Sequence, residues 1–144
     1  MEATKVLFEK DFVADLLPQK FPFVLVDKMY AYSEISLISG LKIQSDSLFF
    51  QKECLAESGL IEHMAQSVAL HTGYQFYLKQ EPAPTGYIGS IKEIQIFDLP
   101  KRDQEIQTTV TILQEFAGIT LVDISTKCNQ KEIAKGQMKT ILAK

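Results

Sequence analysis

The sequence predicts an α+β domain in which one long helix lies on a single antiparallel sheet. From Ser58 to about Lys79 there is no proline, only two glycines, and apolar residues recur at helical spacing. Beyond the EPAPTG segment, long alternating runs follow one another with short polar joints, the pattern of antiparallel neighbours. Ahead of the helix, two extended stretches stand close enough to pair as a hairpin. With 144 residues, 46% of them hydrophobic, the chain makes one domain that buries roughly two thirds of its unfolded surface.

Each element has its own signal. DFVADLL, residues 11–17, is a short amphipathic helix stopped by Pro18. The chain turns β-like from Phe23, where Val24, Val26 and Lys28 alternate with Leu25, Asp27 and Met29, and ISLISGLKIQ supplies the hairpin partner. SDSLFFQKECLAESG reads as an irregular connector. Ser58 is the expected N-cap of the long helix, with Glu57 and Glu62 near the positive end of its dipole. Two prolines and a glycine in EPAPTG end that helix. YIGSIKEIQIF, EIQTTVTILQEF, ITLVDISTKCN and EIAKGQMKTILA are the strands of the meander, joined by LPKRDQ, AG and QK. A single sheet covers only one face of so apolar a helix, so a second copy is expected on the other and a homodimer is the expected unit.

Composition excludes several functions. A net charge of −3 offers no basic face for nucleic acid. No apolar run approaches the ~20 residues that cross a bilayer, so no membrane partner is expected. MEATKVLFEKDF mixes both charge signs and lacks the apolar stretch of a secretory signal, which points to the cytoplasm. Cys54 and Cys128 lie outside any CxxC and read as free thiols in a reducing compartment. His63 and His71 are too far apart for an i, i+4 metal pair. Neither a metal nor another cofactor is expected.

Glu62 stands out. It sits among Leu60, Ile61, Met64 and Ala65 on a helix that reads as buried on most sides, where an ionised carboxylate is costly unless paired or used. At about 100° per residue, Glu62, Gln66, Ala69 and Gly73 share one stripe. The Gln66 amide is placed to orient the carboxylate, and Ala69 and Gly73 leave room beside it. The plain structural reading of Glu62 is a first-turn carboxylate on the helix dipole, an effect that fades by the fourth residue. His63 leaves the helix about 100° away, toward an interface or a neighbouring subunit's site. His71 points away from the stripe. Cys54 lies in the connector, with no basic neighbour in sequence to activate it, and reads first as a small buried hydrophobe. Asp27 reads as a structural cap or pair.

Three segments carry a resemblance. LLPQKFPFVLVDKM, residues 16–29, resembles the opening of the bacterial 3-hydroxyacyl-acyl-carrier-protein dehydratases, with their Leu-Pro-x-x-x-Pro-Phe-x-Leu-Val-Asp pattern. IEHMAQSV, residues 61–68, is similar to their central-helix signature, and LFFQ, residues 48–51, to the Phe-Phe pair before their catalytic loop. The likeness implies a hot-dog fold over residues 1–144, a dimer with tunnels at its interface, and acyl carrier protein as the partner that presents the thioester. It gives Glu62 the place of the catalytic carboxylate, with Gln66 and His63 as further catalytic candidates. Cys54, Gly59, Ala69, Gly73, Ile88 and Gly89 take substrate-binding places. Lys20, Lys101 and Arg102 read either as cations that an acidic carrier would meet or, as scattered surface cations usually do, as charges that serve solubility alone.

The chain departs from the family where the base should be. Its connector, QKECLAESG, has neither the histidine nor the proline of the family's Gly-His-Phe-Pro-Gly loop. This resembles divergent relatives linked to aryl-polyene and flexirubin-type pigment synthesis. Three functions stay open: a dehydratase using Glu62 with another base, a hot-dog thioesterase in which the carboxylate activates water, or a non-catalytic acyl-binding half of a heterodimer whose other half supplies the histidine.

Overall fold

In the computed structural model, which describes residues 5–84 and 86–142, helix α2 (Glu57–Leu78) runs along one face of a six-stranded antiparallel sheet. The sheet contains β1 (Lys28–Ser33), β2 (Ser36–Lys42), β5 (Gly86–Ile96), β6 (Glu105–Phe116), β7 (Ile119–Cys128) and β8 (Lys131–Leu142), in the order β1-β2-β6-β7-β8-β5. The alternation seen in the sequence sets the faces: Val122, Ile124 and Thr126 of β7 point inward with Ile106, Thr108 and Val110 of β6. The turns Ala117-Gly118 and Asn129-Gln130 have consecutive positive φ angles (53° and 81°, 52° and 66°), the twist that suits tight hairpins.

The core has two parts. Leu60, Met64 and Val68 of α2 pack with Ile106, Val110, Val122, Ile124 and Met138 of the sheet. A smaller cluster joins Val13 and Leu17, at the short helix α1 (Lys10–Asp15), to Met29, Leu37 and Leu70.

Three local expectations are corrected. The helix starts one residue before Ser58 and is capped by the backbone of Ala56, whose carbonyl accepts from Leu60 N–H at 3.0 Å. Pairing in the first strand begins at Lys28 rather than Phe23, because Phe23–Leu25 bonds to α2 side chains instead. The connector is not wholly irregular: β3 (Phe50–Gln51) and β4 (Cys54–Leu55) form a minute hairpin around Lys52 and Glu53.

The two sheet edges differ. Beside β1, Leu7 and Phe8 bond to Met29 and cover the edge. Along the eleven residues of β5, no strand lies on the outer side among the described residues.

Candidate active site

Glu62 is half-buried on α2 and lines a cleft of about 340 Å³. One wall is α2, through Glu62, Ala65, Ala69, Thr72 and Gly73. Opposite lie the segment after α1, with Leu16, Pro18 and Gln19, and the ends of β5 and β8, with Gly86, Thr140 and Leu142. The segment is held tightly. Lys20 Nζ donates to the carbonyls of Ala14 and Leu17 at the end of α1. The Leu16 carbonyl presses on Gly73, where a Cβ has no room.

Gln66 joins the segment to the acid. Its Oε1 accepts from Leu25 N–H at 2.7 Å, a donor that fixes which way the amide faces. Nε2 therefore donates both to the Phe23 carbonyl, at 2.8 Å, and to Glu62 Oε2, at 2.9 Å. Gln66 itself is fully buried, so this bond holds the carboxylate from inside. Oε1 of Glu62 makes no such bond within the described residues. One carboxylate oxygen is thus anchored, while the other has no protein partner among the described residues.

His63 does not join this group. It is fully buried on the sheet side of α2, with Nδ1 2.6 Å from the Leu25 carbonyl and Nε2 2.7 Å from Thr108 Oγ1. A carbonyl only accepts, so Nδ1 carries the hydrogen and Nε2 accepts from the Thr108 hydroxyl, which accepts in turn from Thr126 at 2.6 Å. Burial pushes this imidazole down to about 4, and it stays neutral at physiological pH. Both of its nitrogens are engaged, and it does not line Glu62's cleft. His71 is also buried, stacked on Tyr32 and bonded to the Ser33 carbonyl, and burial lowers its pKa.

The other expected site residues divide. Ala69 and Gly73 line the cleft with Glu62. Cys54 sits in β4 beside Lys101, and Gly59 packs on Phe49, with 2.6 Å between its would-be Cβ and the Phe49 Cβ; neither lines the cleft. Gly89 lies at a bulge in β5 against Ile141. The Ile88 side chain lies outside the described residues. Asp27 pairs with Lys28 and accepts from Lys42 N–H, as a structural residue. Arg102 is engaged by Glu53. Sequence reasoning missed Gln19, Thr72 and Thr140. Thr72 flanks the Glu62 stripe, seven residues after Ala65 and three after Ala69, whereas nothing local to Gln19 or Thr140 places them across from it.

A long helix lying on one face of a six-stranded antiparallel sheet is a hot-dog domain. The chain belongs to the ApeP-like dehydratase family, whose sequence pattern matches residues 12–144. The 3-hydroxyacyl-acyl-carrier-protein dehydratase FabZ of Salmonella arizonae is 30% identical, over 81% of this chain and 84% of its own length. In fold, the chain is similar to one from the dehydratase heterocomplex ApeI:P of Xenorhabdus doucetiae: TM-score 0.85 and 17% identity, covering 92% of this chain and 91% of that one. It is also similar to a hypothetical thioesterase of Streptococcus pneumoniae TIGR4 solved with coenzyme A: TM-score 0.64 and 9% identity, covering 80% and 84%. At these two identities the likeness is one of fold. No helix among the described residues is long and apolar enough to cross a membrane.

Proposed function

We propose that the chain is the acid-bearing subunit of a dehydratase acting on a 3-hydroxyacyl thioester carried by acyl carrier protein. The observation that carries this reading is Glu62, which lines the cleft and is anchored by Gln66 through one oxygen only. Dehydration removes a proton from C2 and the hydroxyl from C3; C2 and C3 become doubly bonded, and the hydroxyl leaves as water once it gains a proton. Because Oε2 is held as an acceptor, the proton that Glu62 delivers sits on Oε1 and faces the substrate. The C2 base is a separate requirement. Both histidines bond elsewhere, and none lines the cleft, so a second subunit is the source of the base.

Two observations support a two-subunit unit. The similar solved chain belongs to a dehydratase heterocomplex. The outer edge of β5 adjoins the cleft, where Gly86 stands in the wall, and an open edge of eleven residues is a template for another strand. A partner paired there would reach the cleft mouth.

The test is incubation of 3-hydroxyacyl thioesters with the purified chain, alone and mixed with a histidine-bearing dehydratase subunit. Enoyl absorbance that depends on the mixture agrees with the proposal. Free thiol without enoyl product shifts the reading to hydrolysis. Turnover by the chain alone removes the need for a second subunit's base.

A further inference from the structure

The backbone of residues 23–25 pairs with side chains of α2 as a strand pairs with its neighbour. The Phe23 carbonyl accepts from Gln66 Nε2 at 2.8 Å, and the Leu25 N–H donates to Gln66 Oε1 at 2.7 Å. The Leu25 carbonyl accepts from His63 Nδ1 at 2.6 Å. His63 and Gln66 stand three residues apart on α2, so both reach this stretch from one side of the helix. Leu25, His63 and Gln66 are all buried, and a bond lost among them leaves its partner unpaired.

His63 has a support of its own. Its Nε2 accepts from Thr108 on β6, whose hydroxyl accepts from Thr126, the residue paired with it on β7. The Thr108 donor keeps the ring hydrogen on Nδ1, where the Leu25 carbonyl needs it. A connected path thus runs from the sheet, through the imidazole and Leu25, to the amide that anchors Glu62 Oε2. Buried polar networks contribute little net stability over apolar packing; what a satisfied one gives is a single geometry. Here the geometry is that of Leu25, and Leu25 decides which way Gln66 faces. With Leu25 released, the amide is free to turn, and its oxygen would meet the Glu62 carboxylate in place of its nitrogen.

We propose that His63 is a positioning residue for Glu62: it touches no substrate atom, and through Leu25 and Gln66 it holds the carboxylate in its orientation. Thr108 and Thr126 fix the tautomer on which that hold depends. This rests on the dehydratase reading of Glu62 and adds how the acid is aimed.

The test compares His63→Leu, which removes the donor, with His63→Asn, whose Nδ2 takes the place of Nδ1. Both are first checked for a native circular dichroism spectrum; should His63→Leu not fold, Thr108→Val, which removes the tautomer-fixing donor, replaces it. In the 15N-labelled chain, the Gln66 side-chain amide protons are expected to be protected from solvent exchange in the native protein and in His63→Asn. They should lose that protection in His63→Leu. In the two-subunit mixture, kcat of His63→Leu is expected to fall about tenfold or more with KM unchanged, and His63→Asn to recover most of the loss. Gln66 protons equally protected in His63→Leu would overturn the inference. So would a native kcat in His63→Leu beside a Glu62→Gln variant that has lost turnover, which leaves the acid standing. If Glu62→Gln turns over at the native rate, the dehydratase reading fails, and the inference with it.

Discussion

Gln66 faces only one way, and that constraint organises the site. Its oxygen is claimed by the Leu25 N–H, so its nitrogen must face Phe23 and Glu62. Gln66→Leu is expected to leave the buried Leu25 N–H unpaired, at a cost of about 1–3 kcal/mol, to release the part-buried Phe23 carbonyl and to free the carboxylate. Urea unfolding checks the first effect, and dehydration assayed on folded protein checks the second. On the other side of Leu25, His63 predicts a pH dependence. Its folded value of about 4 lies below the ordinary 6.5, so between those values the unfolded chain binds the extra proton. The stability due to neutral His63 is thus complete above pH 6.5 and is lost as pH falls toward 4. The slope is at most about 1.4 kcal/mol per pH unit. Burial lowers His71 as well and steepens the same range. His63→Leu should flatten this dependence in part; an unchanged slope would contradict the buried neutral imidazole. Glu62 was legible in the sequence as a carboxylate out of place, and its hydrogen-bond partner Gln66 as the residue one turn on. The true surroundings of His63 were not, because its partners Leu25 and Thr108 are far away in sequence.

At the scale of elements, the contact between α2 and the segment after α1 gives the cleft its wall. Gly73 is where the two backbones meet. Helix propensity alone would favour Gly73→Ala by about 1 kcal/mol. The added Cβ would strike the Leu16 carbonyl, which is backbone and has no rotamer to yield. Such overpacking costs typically about 1–3 kcal/mol, and less the propensity gain Gly73→Ala should destabilise the protein by up to about 2 kcal/mol and loosen acyl binding. A raised denaturation midpoint would show that the segment moves freely. Periodicity located α2 and the four long strands because each repeats its pattern over ten or more residues. It missed where pairing starts at β1, since Val24 and Val26 alternate as a strand does while the backbone around them bonds to Gln66 and His63. It also missed the tiny β3–β4 hairpin, which is too short to repeat any pattern.

For the whole molecule, the outer edge of β5, unpaired among the described residues, bears on the proposed two-subunit unit. Ile91, about half exposed on that edge strand, is apolar where an unpaired strand would carry charge. Ile91→Lys should shift the molecular mass by light scattering toward the single chain, with circular dichroism unchanged. A mass unaffected by the charge would place the interface elsewhere. The sequence made the fold class plain, through one long helical stretch set among alternating runs. Whether the helix's other face meets a copy of the chain or a different subunit is not written in this one sequence.

The acid is where the account stands or falls. The decisive measurement is the rate of enoyl formation from a 3-hydroxyacyl thioester by Glu62→Gln, beside the native chain in the same two-subunit mixture. The substituted amide keeps the shape of the carboxyl group but cannot deliver a proton, so the rate should fall by about 100-fold or more with substrate binding retained. A variant that turns over at the native rate would contradict the role given to this carboxylate.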